Sequence, residues 1–204
     1  MSSRKQHWES VYTDRSPLDV SWYQTEPRMS LELIEASGVD KQAPVIDVGG
    51  GASVLVDWLL AAGYRKPAVL DISGRALEHA RQRLGQSAAG VEWFEADITE
   101  FRAPHPFALW HDRAVFHFLT DAGDRRHYVD TLKRGLTPDG HVIIAAFAIG
   151  GPTRCSNLDI VQYDAAKLGA ELGPEFTLVE ERSENHRTPA GKDQLFGFFR
   201  FRRG

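Results

Sequence analysis

The chain has 204 residues, 42% of them hydrophobic and 25% charged, the makeup of an ordinary globular protein long enough to bury a core and most economically read as one domain. A formal charge of −4 and an isoelectric point near 6.1 speak against a protein that binds nucleic acid by neutralising phosphates, and the single cysteine, Cys155, excludes both an internal disulfide framework and a cysteine-built zinc site. No apolar run approaches the roughly 20 residues that span a bilayer, and the polar start MSSRKQHWES lacks the apolar core of a signal peptide, so the expectation is a soluble cytoplasmic protein, off the membrane, whose partner is a small molecule or another protein.

In chain order, HWESVYTDRSPLDVSWYQTEPRMSLELIEASG is helix-like and aromatic but too short for its own domain. It is placed as a helical cover within residues 1–40, over a core of residues 44–204. From there apolar runs of strand length, PVIDVGG, PAVLDIS, VEWFEADI, FALWHD and HVIIAAFA, alternate with helix-like segments SVLVDWLLAAGY, SGRALEHARQRLGQ and DRRHYVDTLKRGL. In the second helix Ala76, Leu77, Ala80 and Leu84 recur at helical spacing while Glu78, Arg81 and Arg83 face water, and Ser73 is placed to cap it. LTPDGH reads as a turn feeding the fifth strand. Strands alternating with helices imply right-handed crossovers and a parallel sheet covered on both faces. The end of the chain differs: FTLVEERSEN and QLFGFFRFRR are strand-like with only HRTPAGKD between them, which suits an antiparallel pair.

The stretch VIDVGGGAS carries the first chemical signal. Gly49, Gly50 and Gly51 follow a buried strand and precede a helix, where the absence of a Cβ lets a ligand approach the backbone. Asp71 closes the second strand 20 positions after Gly51, where a carboxylate can accept from both hydroxyls of a ribose. Asp97, in FEADI, can accept from an adenine amine with Ile98 packing on the ring. A dinucleotide fingerprint would place a third glycine where Val54 stands. Asp47 at the head of the turn suits a ligand with a cationic amino group better than one with a pyrophosphate. These features favour S-adenosylmethionine over NAD.

VIDVGGGAS, LDIS, EADI and ALWHDRAVFHFLTD together resemble the class I S-adenosylmethionine-dependent methyltransferases, over residues 44–147. Asp47, Gly49 and Gly51 match that family's acidic-x-Gly-x-Gly turn, and Ser53 replaces its last glycine. The resemblance implies a Rossmann-like, seven-stranded, mostly parallel α/β sheet with a terminal antiparallel strand pair and an N-terminal helical lid. It implies further that Asp71 and Ile72 hold the ribose, Asp97 and Ile98 the adenine, and His111 and Asp112 the methionine end. Trp22 and Tyr23 fall where related enzymes place a lid.

Methyl transfer to an acceptor that carries a proton calls for a base, and His111, Asp112, His117 and His186 are the candidates. A metal reading of HDRAVFH is set aside for want of further ligands. The segment WHDRAVFHFLTDAGDRRHYVDTL is also similar to thiopurine methyltransferase-like thiol methyltransferases around Asp112, Arg113, Ala114, Arg126 and Tyr128. That similarity implies a thiol, sulfide or metalloid acceptor, whose anion Arg113 or a histidine would favour; alternatively, and preferably, Arg113 is a structural partner of Asp112. The loop AIGGPTRCSNLDIVQYDAAKL is expected to wall the acceptor side, with Arg154, Cys155 and Tyr163 pointing inward and His186 alongside. The competing readings are a protein lysine methyltransferase, an NAD-dependent oxidoreductase and a non-catalytic scaffold. The expectation is methyl transfer from S-adenosylmethionine to a small molecule, with no metal.

Overall fold

The computed structural model describes residues 2–204. Helix α1 (Ser3–Asp14) starts where the Ser2 side chain accepts from the Lys5 amide, satisfying one of the donors a helix start leaves open. After irregular chain, α2 (Arg28–Ala36) buries Ser30, Leu33 and Ile34. The alternating core follows: β1 (Val45–Val48), α3 (Leu55–Ala61), β2 (Pro67–Asp71), α4 (Gly74–Leu84), β3 (Glu92–Glu95), β4 (Phe107–Arg113), α5 (Ala122–Gly135) and β5 (Leu136–Phe147). A short hairpin, β6 (Arg154–Cys155) and β7 (Leu158–Asp159), and α6 (Ala165–Leu172) lead to the long strands β8 (Phe176–Arg187) and β9 (Asp193–Arg203).

One seven-stranded sheet runs β3-β2-β1-β4-β5-β9-β8. The first five strands in chain order pair in parallel, and β9 lies antiparallel to both β5 and β8. This is the expected mostly parallel sheet with its terminal antiparallel pair. β1 and β2 are buried at every residue, as central strands covered on both faces must be. Because β1 is followed outward by β2 on one side and flanked by β4 on the other, the strand order reverses there and leaves a crevice at the strands' carboxyl ends.

Short polar side chains set the helix starts. Ser73 accepts from the Ala76 amide at the head of α4, as expected, and Asp121 and Asp164 do the same for α5 and α6. Below the sheet α5 packs Tyr128 and Leu132 on Phe107, Trp110 and Phe116; on the other face α2 and α3 bring Leu33, Ile34, Leu55 and Leu59 to Leu109 and Phe198. Each fully buried large apolar side chain contributes about 1.5–3 kcal/mol. LTPDGH differs from expectation: β5 begins at Leu136, paired with Phe107, and residues 137–140 arch out before His141 pairs with Leu109. Asp139, at φ +62°, turns that arch. Among the described residues no helix is long and apolar enough to cross a membrane.

Candidate active site

The crevice holds two connected chambers. The first, about 740 Å³ of empty space partly open to solvent, is walled by Asp71, Ile72, Asp97 and Ile98 on the sheet side and by Arg4, Trp8, Tyr12 and Trp22 from the N-terminal cover. The second, about 570 Å³, lies over Asp47, Gly50, Ser53 and His111, under Trp22, Tyr23 and Gln24. Tyr12, Trp22, Gly49 and Arg113 wall both. All nine residues that the sequence assigned to a cofactor line one chamber or the other except Gly51, which stands behind Asp71.

The glycines have a second purpose that the sequence did not disclose. A Cβ on Gly50 would stand 2.5 Å from Asp47 Oδ2, and one on Gly51 2.5 Å from Asp71 Oδ2. The bare backbone therefore makes room for the two carboxylates as well as for a ligand. At Gly49, φ +70° and a Cβ position 2.0 Å from Val115 Cγ2 make any other residue strained and force Val115 to move. From α4, Arg83 braces the turn by donating to the Ala52 and Ser53 carbonyls while paired with Asp57.

Each acidic residue sits in a different environment. Asp47 Oδ1 lies 2.7 Å from His111 Nδ1, and His111 Nε2 lies 2.9 Å from Ser30 Oγ, so a buried relay joins the glycine turn to α2. Asp47 only accepts when ionised, so Nδ1 carries the hydrogen of that bond. Asp71 accepts from the Ser73 amide at 2.8 Å. Burial, reinforced by the charges of Asp47 and Glu9, pushes its pKa up to about 7 against the opposing amides. That is the state of a carboxylate short of donors. Asp97 is already engaged: it accepts from the Thr99 amide and hydroxyl and from Arg4 Nη1 at 2.9 Å.

Arg4 belongs to a set of contacts, missed in the sequence, by which α1 grips the crevice. It also pairs with Asp124 of α5; Lys5 pairs with Glu95, and Glu9 accepts from the Gly74 amide and the Ser73 hydroxyl at the head of α4. Trp8 packs edge-on to Trp22 and Phe118. The spacing of Trp8, Val11 and Tyr12 was the available signal, one apolar stripe at i, i+3, i+4.

On the acceptor side the structure separates the sequence candidates. Asp112 is wholly buried and spent on the Val115 and Phe116 amides and the Tyr128 hydroxyl; burial still lifts its pKa to about 6. The expected Asp112–Arg113 pair does not form, because neighbours on a strand point to opposite faces. His117 is buried, with Nδ1 accepting weakly from the Phe147 amide at 3.4 Å, and burial drives its pKa down to about 3. His186 Nε2 donates to the Ser21 carbonyl at 2.8 Å, and burial and Arg113 lower its pKa. None of these three lines a chamber. In the loop after β5, Cys155 walls the first chamber, its thiol pushed up to about 11 by burial. Arg154 instead faces water, paired with Asp159, and Tyr163 is buried in the core, so neither points inward.

Comparison with known proteins agrees with the fold. Residues 45–140 match the family described as a methyltransferase domain. Nodulation protein S of Rhizobium fredii is 29% identical over 96 residues, 47% of this chain and 54% of that one, so the match spans about half of that relative's length. The crystal structure of N-methyltransferase NodS from Bradyrhizobium japonicum WM9 with S-adenosyl-L-homocysteine superposes with a TM-score of 0.75 at 20% identity, covering 99% of both chains. The N-terminal Xaa-Pro-Lys N-methyltransferase 1 of Xenopus tropicalis is 27% identical over 76% of this chain and 69% of its own. The 1,6-didemethyltoxoflavin-N1-methyltransferase of Burkholderia thailandensis has a TM-score of 0.68 at 20% identity, over 98% of this chain and 84% of that one. A doubly wound sheet with a glycine turn after β1 and carboxylates at the ends of successive strands defines a nucleoside-binding α/β protein. Within that class, residues 45–140 match a methyltransferase domain, and the fold is that of solved S-adenosylmethionine-dependent methyltransferases.

Proposed function

We propose that this chain transfers the methyl group of S-adenosylmethionine to a small molecule, with a thiol, sulfide or related soft nucleophile as the leading acceptor. Asp71 and Ile72 take the ribose, Asp97 and Ile98 the adenine, and Asp47, held by His111, takes the cationic amino group at the methionine end. The sulfonium supplies a methyl carbon already activated for displacement, so the protein's task is alignment and exclusion of water. Trp8, Tyr12 and Trp22 cover the crevice and serve that exclusion.

The observation that carries the acceptor reading is that none of the candidate bases His111, Asp112, His117 and His186 is both on a chamber wall and free of a partner. Asp112, His117 and His186 lie outside both chambers, and Asp47 and His111 are bonded to each other. An acceptor suited to such a site brings its own nucleophilic lone pair. Thiols, with a pKa near ~8.5, meet that need near neutrality far better than alcohols.

A second reading is a nitrogen acceptor, favoured by the relatives, which are named as N-methyltransferases. The lysine side chain of a protein is not favoured as that acceptor, since NodS and small-molecule enzymes are among the structural neighbours. Release of S-adenosylhomocysteine, followed with a panel of small thiols, sulfide and small amines, tests both. Turnover with thiols that tracks their thiolate fraction supports the first; turnover with amines alone transfers the conclusion to the second. Methyl label appearing only in protein would sink both.

A further inference from the structure

Arg113 ends β4, and its guanidinium is fixed on two sides. Nη1 donates to the Trp22 carbonyl at 2.9 Å, and the group lies 4.7 Å from the centroid of the Phe196 ring. Nε and Nη2 are buried and have no hydrogen-bond partner among the described residues. The charges of Glu184 and Asp47 act on the group from nearby, yet burial outweighs them and draws its pKa down to about 10. A buried cation with two unmade hydrogen bonds is a costly arrangement unless a ligand completes it.

The two unpartnered donors are not an arbitrary pair. Nε–H and Nη2–H share one edge of the guanidinium, the edge whose parallel N–H bonds match both oxygens of a carboxylate. Arg113 walls both chambers, which sets its guanidinium beside any ligand bound there. Asp47 lies one residue before the end of β1 and Asp71 ends β2, on the half of the sheet away from β9; Arg113 leans over Phe196 of β9 and shares the first chamber with Asp71 and with Cys155 of β6.

We propose that the free Nε/Nη2 edge of Arg113 receives a carboxylate on the methyl acceptor, making the substrate a small, carboxylate-bearing molecule whose nucleophile is held beside the cofactor's methyl group. The nature of the nucleophile rests on the reading above; the carboxylate rests on the geometry of Arg113. The other source of the same chemistry is the methionine carboxylate of the cofactor, and the experiment separates the two.

Protein saturated with S-adenosylhomocysteine is titrated calorimetrically with 3-mercaptopropionate and with its methyl ester, in the native chain, Arg113→Gln and Arg113→Lys. The native protein is expected to prefer the acid by about 10- to 100-fold, Arg113→Gln to lose that preference while binding S-adenosylhomocysteine within about threefold of the native value, and Arg113→Lys to keep only part of it. No preference in the native protein overturns the proposal. So does an Arg113→Gln variant that keeps the preference but binds S-adenosylhomocysteine weakly, which assigns the edge to the cofactor. Should Arg113→Gln fail to fold, the native and Arg113→Lys titrations decide alone. Acid-selective binding, together with no methylation of 3-mercaptopropionate in a separate assay with S-adenosylmethionine, supports the carboxylate site and removes the soft-nucleophile reading instead.

Discussion

Asp71 is an acid kept where its charged form is disfavoured, and this has a measurable cost. Its pKa is raised from 3.8 to about 7, chiefly by burial. Between those values the folded chain holds a proton that the unfolded chain releases, so the contribution of Asp71 to stability is full below about pH 4 and is lost as pH rises to about 7. Asp71→Asn is therefore expected to melt higher than the native chain at pH 8, by about 2–4 °C per kcal/mol recovered, with the gap closing at pH 4. The same variant should bind S-adenosylhomocysteine at least about tenfold more weakly. Calorimetric melting and titration check the two halves, and equal melting at pH 8 would show that Asp71 ionises freely. Ala114 is a second residue under strain, a non-glycine at φ +71° directly after Arg113. A left-handed alanine costs about 1–2 kcal/mol, so Ala114→Gly should raise the melting temperature by a few degrees. Neither site was visible in the sequence as a cost: the aspartate's spacing revealed its place, but only packing decides how much water reaches it.

The element that most affects access is α1. It is tied down by polar contacts, Arg4 to Asp97 and Asp124, Lys5 to Glu95 and Glu9 to the head of α4, with the side chains of Arg4 and Asp124 each about a third exposed. Partly exposed pairs contribute about 0.2–1 kcal/mol each, and salt screens them. Arg4→Ala is expected to speed dissociation of S-adenosylhomocysteine several-fold in stopped flow, and raised ionic strength should speed the native protein while changing the variant less. Identical salt dependence in both would mean that α1 does not gate exit. The sequence led to a helical cover but not to its grip, because the partners lie far away in the chain, 93 positions for Arg4 and Asp97. Strand ends were easier: a run of apolar residues ending in Asp71 has one place to put its carboxylate. Arg113 and Asp112 were misjudged as partners for a related reason. Adjacency in sequence suggested a pair, and the pleat of β4 sends them to opposite faces.

At the scale of the molecule, a ligand that bridges the sheet and the N-terminal cover binds the folded chain and not the unfolded one. S-adenosylhomocysteine at about 100 times its dissociation constant should add about 2.7 kcal/mol, raising the melting temperature by roughly 5–10 °C. NADH at the same concentration should leave it unmoved, and a shift with NADH would reopen the choice made at Val54. The alternation of strands and helices made the parallel sheet legible, since each crossover follows from hydrophobic period alone. The acceptor side proposed above was less so: it draws on β4, the β6–β7 hairpin and β9, whose meeting depends on long-range strand pairing that no local pattern records. That assembly has an evolutionary corollary. Carboxylates of the nucleoside side stand on β1 and β2 and just beyond β3, while the Phe196 shelf under Arg113 comes from β9. Drift or a mutant library confined to the β6–β7 hairpin should thus diversify which molecules are accepted while leaving the affinity for the common methyl donor in place.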